Sequence, residues 1–145
     1  MNNFSELLQD LGLLNRHLWR RVLAETESTF TRRQVRLLTY LAEKGETMMT
    51  DLAAKQGVKT PSISAMVDRL VETGLIIRNR SKDDRRVVTV YVSPEGQSEL
   101  NKLHAKFDAH ADELIERLPK DKRSALKKVL PDLRTMSGLL RELMK

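Results

Sequence analysis

Apolar residues recur at steps of three and four along the start of the chain, through Phe4, Leu7, Leu8, Leu11, Leu14, Leu18 and Val22. At about 100° per residue this spacing aligns them on one stripe of a long amphipathic helix. A second helix opens at Thr31, where Gln34 completes a capping box: each side chain satisfies a backbone donor that the helix start leaves free. Val35, Leu38, Leu41 and Ala42 form its inward face, and Gly45 ends it. Thr50 is placed to cap a short third helix through Gln56, with Leu52 and Ala53 inward, and Gly57 supplies the positive φ of a sharp turn. A fourth helix follows at once, with Thr60 as N-cap, Pro61 at the first helical position and Gly74 as the stop.

From Leu75 the period changes. Ile76 and Ile77 lead into Arg78, Asn79 and Arg80, and Val88, Val90 and Val92 alternate with Val87, Thr89 and Tyr91, which predicts two short strands with the charged stretch 81–85 at their hairpin tip. Ser93 and Pro94 repeat the cap-plus-proline opening. The fifth helix carries Leu100, Leu103, Phe107, Ala111, Leu114 and Leu118. A sixth carries Leu126, Val129, Leu133, Met136, Leu140 and Leu143, a narrow seam suited to packing on another helix, with Pro131 predicted to bend it. Two short helices across a tight turn, then a hairpin with a cationic tip, is the order of a winged helix-turn-helix. The fold class is therefore mainly α with a small β-hairpin wing. The apolar stripes of the first, fifth and sixth helices exceed what one small winged unit covers, so those helices are expected to form a homodimer.

Charge sharpens this picture. The 145 residues carry a formal net charge of +6, and 32% of them are charged. Residues 59–90 hold 7 basic groups against 4 acidic, whereas residues 1–58 hold 8 against 7. Arg78, Arg80, Lys82, Arg85 and Arg86 fall within nine positions. Alone, such a run is more often a solvated loop salt-bridged by Asp83 and Asp84. Here it neighbours a helix whose inner side holds Ile63, Val67, Leu70 and Val71, leaving Pro61, Ser64, Ala65, Asp68 and Arg69 outward. Small and hydroxylated residues let a helix approach base edges, and Thr60 and Ser62 at its start are placed to meet phosphate oxygens. Glu72, three residues after Arg69, is the competing partner for that cation.

Other chemistries fare worse. With Cys at 0, disulfides and thiolate metal sites are impossible, which favours a cytoplasmic address. No uninterrupted apolar run resembles a signal peptide or membrane span. The sequence has no Gly-x-Ser-x-Gly elbow, phosphate-binding glycine loop or His-Glu-x-x-His motif, so no enzyme, cofactor or metal is expected. His104 and His110 stand six apart, on different helix faces, and His17 is remote from both, which disfavours zinc sensing. Low aromatic content argues against RNA stacking. A winged protein-interaction module remains the alternative.

Asp84, Arg85 and Arg86, the alternating valines and then Ser93, Pro94, Glu95 and Gly96 resemble the wing and helix-opening signature of the MarR family of bacterial transcription regulators. The Thr31 to Gln34 opening, the stretch Thr50, Asp51, Leu52, Ala53, and the stretch Val67 to Leu70 through Gly74 and Leu75 resemble it in the same order, over about residues 30 to 130. The resemblance implies a homodimer that places the fourth helix in the major groove and the wing in the minor groove of a pseudo-palindromic operator. It matches Asp84 to the residue that holds the wing and Arg86 to the wing arginine, with Arg85 a second candidate. The expected DNA-binding residues are Thr60, Pro61, Ser62, Ser64, Ala65, Arg69, Arg85 and Arg86, within a winged segment 31–92. Residues 1–30 and 93–145 would then form the helical dimerisation region of a single 1–145 unit. The likeness also implies repression relieved by a small aromatic or phenolic effector, in a pocket to which no residue is assigned. Pro119, Lys120 and Asp121 depart from the Ser or Thr with which family members open the sixth helix.

Overall fold

The computed structural model describes residues 3–26, 30–82, 84 and 86–144 and, in the case of Thr60, the backbone alone. The chain forms two compact units, Met1–Phe107 and Asp108–Lys145.

The first unit begins with α1 (Asn3–Glu25), of which only Leu18 and Val22 are buried. In α2 (Arg32–Lys44) the capping box is complete: the Gln34 amide donates to Thr31 Oγ1 at 3.3 Å, and the Thr31 amide donates to Gln34 Oε1 at 2.7 Å. Gly45 ends the helix at φ 80°. Next comes β1 (Thr47–Met48), which pairs with β3 (Val88–Val92) and was not foreseen, because two residues are too few for any alternation to show. That pairing also corrects the third helix. Holding Met48 extended, it starts α3 (Met49–Gln56) two residues early, with Met48 rather than Thr50 as N-cap, so Thr50 lies exposed inside the first turn and no side chain caps the helix. Gly57 then turns the chain at φ 62°.

The helix α4 (Thr60–Glu72) likewise starts earlier than expected, with Lys59 rather than Thr60 as N-cap. Pro61 therefore occupies the second helical position, where a missing N–H still costs no helical bond. Along α4, Ile63, Val67 and Leu70 are buried. The strand β2 (Ile76–Arg80) runs antiparallel to β3, with Ile76 opposite Val92, Arg78 opposite Val90 and Arg80 opposite Val88. The sheet order is β1-β3-β2, three strands where two were expected. One core joins α1 to α5 (Pro94–Glu116) through Val22, Val35, Leu37, Leu38, Leu41, Leu52, Val67, Val90, Leu100 and Leu103.

The opening of α5 ties the sheet to the end of α4. Buried Ser93 donates its hydroxyl to the Gly74 carbonyl at 2.6 Å and accepts the Gly96 amide at 2.9 Å. A Cβ on Gly96 would stand 2.1 Å from the Leu75 carbonyl oxygen, so only glycine admits this approach. Helix α5 ends at Glu116, leaving Leu118 outside it rather than on its stripe. In the second unit, α6 (Lys120–Leu143) follows Pro119 with no side-chain cap and continues as one helix through Pro131. Arg123 bridges back to Glu116. No residue of α6 is buried.

Candidate nucleic-acid interface

Helical geometry sets the surface of α4. With Ile63, Val67 and Leu70 committed to the core, Pro61, Ala65 and Arg69 stand outward and exposed, Ser64 is half-buried, and Ser62 is exposed beside the start of the helix. The amides of Ser62 and Ile63 already donate to the Lys59 carbonyl at 3.0 and 3.3 Å. Pro61 has no N–H, and among the described side chains of this first turn the Ser62 hydroxyl is a polar group open to a ligand. The Thr60 side chain lies outside the described residues. Arg69 makes no ion pair with Glu72, the partner that competed for it.

The wing is built by hydrogen bonds around Asp84. Its carboxylate accepts the Arg86 amide at 2.9 Å, its carbonyl accepts the Val87 amide at 2.9 Å, and its own amide donates to Ser81 Oγ at 3.2 Å. These are the short-range bonds by which an aspartate folds a turn on itself. Asp84 thus acts on the backbone of Arg86, not on its guanidinium, which stays exposed. Arg85 lies outside the described residues.

Strand alternation puts Arg78 and Arg80 on the same side of β2 and Asn79 on the other. Arg78 donates to Asp68 of α4 at 2.5 Å, while the Asn79 amide group and the Thr89 hydroxyl both reach Glu46. A half-exposed ion pair of this kind is worth roughly 0 to 1 kcal/mol. Its larger consequence is electrostatic, because it neutralises a carboxylate on a helix face that would otherwise repel an anion. Ser64, Asp68, Arg78, Arg80 and Arg86 together line a cleft of about 400 Å³ between α4 and the wing. Arg80 and the Asp68–Arg78 pair are additions to the sequence reading. The charge run pointed to Arg78 and Arg80, but the ten-residue separation of Asp68 from Arg78 is closed only by the turn from α4 into β2.

The histidines sit elsewhere. His104 packs edge-on against Trp19, with ring centroids 5.7 Å apart, and its Nε2 lies 3.5 Å from Thr39 Oγ1. His110 faces Glu113 one helical turn on. Among the described residues no three His, Cys, Asp or Glu side chains gather in a way that could hold a metal ion, and no helix is long and apolar enough to cross a membrane.

Residues 30–88, which span α2 to the wing, match the model of the MarR family. The HTH-type transcriptional regulator FarR of Neisseria gonorrhoeae is 28% identical over 114 residues, covering 79% of this chain and 78% of FarR. The solved structure of wild-type apo MarR from Escherichia coli shares the fold, with a TM-score of 0.75 at 20% identity over 92% of this chain and 97% of MarR. NadR, solved in complex with 4-hydroxyphenylacetate, is similar with a TM-score of 0.60 at 27% identity, covering 90% of each chain. Residues 30–88 and the winged fold that they help to build are thus similar to the MarR family of transcription regulators, and FarR, which the chain matches over most of its length, is named a transcriptional regulator rather than an enzyme.

Proposed function

We propose that the chain represses transcription by binding a pseudo-palindromic double-stranded operator as a homodimer. Residues 31–92 read the DNA, and the helices of residues 1–30 and 93–145 form the dimer. Pro61, Ser62, Ser64, Ala65 and Arg69 of α4 meet the major groove, with Thr60 at its start, and Arg86, with Arg85 beside it, enters the minor groove. A narrow minor groove concentrates negative potential and attracts a guanidinium without any base-specific bond. One observation carries this reading: the turn built by Asp84 holds Arg86 on the same cleft as Ser64 of α4, so wing and helix address one surface. A genomic target places the protein in the cytoplasm.

A small aromatic or phenolic effector completes the proposal. The 4-hydroxyphenylacetate bound to NadR supports that ligand class. An effector that prefers a spacing of the two α4 helices other than the one DNA requires lowers affinity by population shift.

Replacing Arg86 tests the assignment. Arg86→Ala is expected to weaken duplex binding by about 1 to 3 kcal/mol while leaving the melting temperature unchanged. Equal binding by variant and parent, measured by fluorescence anisotropy, would remove Arg86 from the interface.

A further inference from the structure

The helix α4 is flanked by cationic clefts on both sides. At about 100° per residue, Pro61, Ala65 and Arg69 form its outer ridge, Ser64 and Asp68 lie on the flank toward the wing, and Ser62 and Met66 lie on the opposite flank. On that second flank Arg33 and Arg36 of α2 join Ser62, Met66 and Gln56 around a cleft of about 140 Å³.

Both arginines are exposed, and among the described residues neither makes an ion pair. They stand three positions apart on one helix, where like charges are neighbours and repel. They also follow the start of α2, whose first turn contains no acidic residue, although a helix dipole favours anions there and disfavours cations. Neither feature helps the isolated chain to fold. An anion lying between the two guanidinium groups relieves both.

An α-helix seated in a major groove has a phosphate backbone along each flank, because the groove is only about 12 Å wide. We infer that Arg33 and Arg36 bind the phosphate backbone on the edge of the major groove away from the wing, so that α4 is held between one strand gripped by α2 and another gripped at the wing-side cleft. This rests on the proposed DNA-binding function and adds a second line of contact to it. Contacts of this kind fix the register of a protein on the duplex and carry no base preference.

The test uses the full chain and a fluorescently labelled mixed-sequence duplex, titrated across a series of salt concentrations. Each phosphate contact contributes about 0.9 to the slope of log affinity against log salt, so R33Q/R36Q is expected to lower the magnitude of that slope by about two. The R33K/R36K variant is expected to keep the slope of the parent, which separates loss of charge from loss of fold. The bases enriched from a randomised duplex pool are expected to be the same for R33Q/R36Q as for the parent. A double Gln variant with the parent's slope and affinity, or with altered base preference, overturns the inference and leaves the proposed function standing. A parent chain that binds no duplex overturns both.

Discussion

The wing depends on one side chain acting over two residues. Asp84 accepts the Arg86 amide at 2.9 Å, and this bond sets the direction in which the exposed arginine leaves the hairpin. A single hydrogen bond of this sort contributes about 0.5 to 1.5 kcal/mol net, so Asp84→Ala is expected to weaken duplex binding about threefold to tenfold with little change in melting temperature. Asp84→Asn retains an acceptor oxygen and is expected to bind much as the parent does. Anisotropy titration of the two variants separates the hydrogen bond from the charge: if Asn and Ala lose affinity equally, the carboxylate acts through its charge instead.

α4, β3 and α5 converge closely at Ser93 and Gly96. Ser93 binds both Gly74 and Gly96, and Gly96 lies so close to the Leu75 carbonyl that no Cβ fits. Gly96→Ala is expected to destabilise the fold by about 2 kcal/mol, since backbone rather than a flexible side chain must yield, and urea unfolding measures it. Stability equal to the parent's would mean that α5 shifts freely on the sheet. The sequence marked this junction through its Ser-Pro-Glu-Gly opening but did not show its reason, which lies in the contact with Leu75. Local signals served well elsewhere too. The capping box at Thr31 and the alternating valines depend on neighbours in the chain, and both elements formed as read. Signals that depend on distant partners were illegible: β1 exists because Thr47 and Met48 meet Val90 and Thr89, and that pairing moved the start of α3. The same limit hid the Asp68–Arg78 pair. It also explains why the charge run identified the wing, while the cleft joining Ser64 to Arg80 and Arg86 required the fold.

Seen as a whole molecule, the chain leaves too much apolar surface uncovered. Leu7, Leu8, Leu11 and Leu14 are each about half exposed on α1, and α6 separately exposes Val129, Leu133, Met136 and Leu140. Contiguous apolar stripes of this size mark interaction surfaces in soluble proteins. A second copy of the chain is the occupant proposed here, because two winged units on a two-fold axis match an inverted-repeat operator. Leu11→Glu combined with Leu14→Glu is expected to shift the protein from dimer to monomer mass in sedimentation equilibrium. A parent already at monomer mass would contradict the assembly.

The most direct test is enrichment of the unmodified protein's targets from a pool of fully randomised duplexes. A two-fold dimer of winged units is expected to select two inverted half-sites with centres about one helical turn, roughly 34 Å, apart, each read by one α4 and flanked by narrow minor groove where a wing lies. Enrichment of a single unpaired half-site, or of no sequence at all, would contradict it.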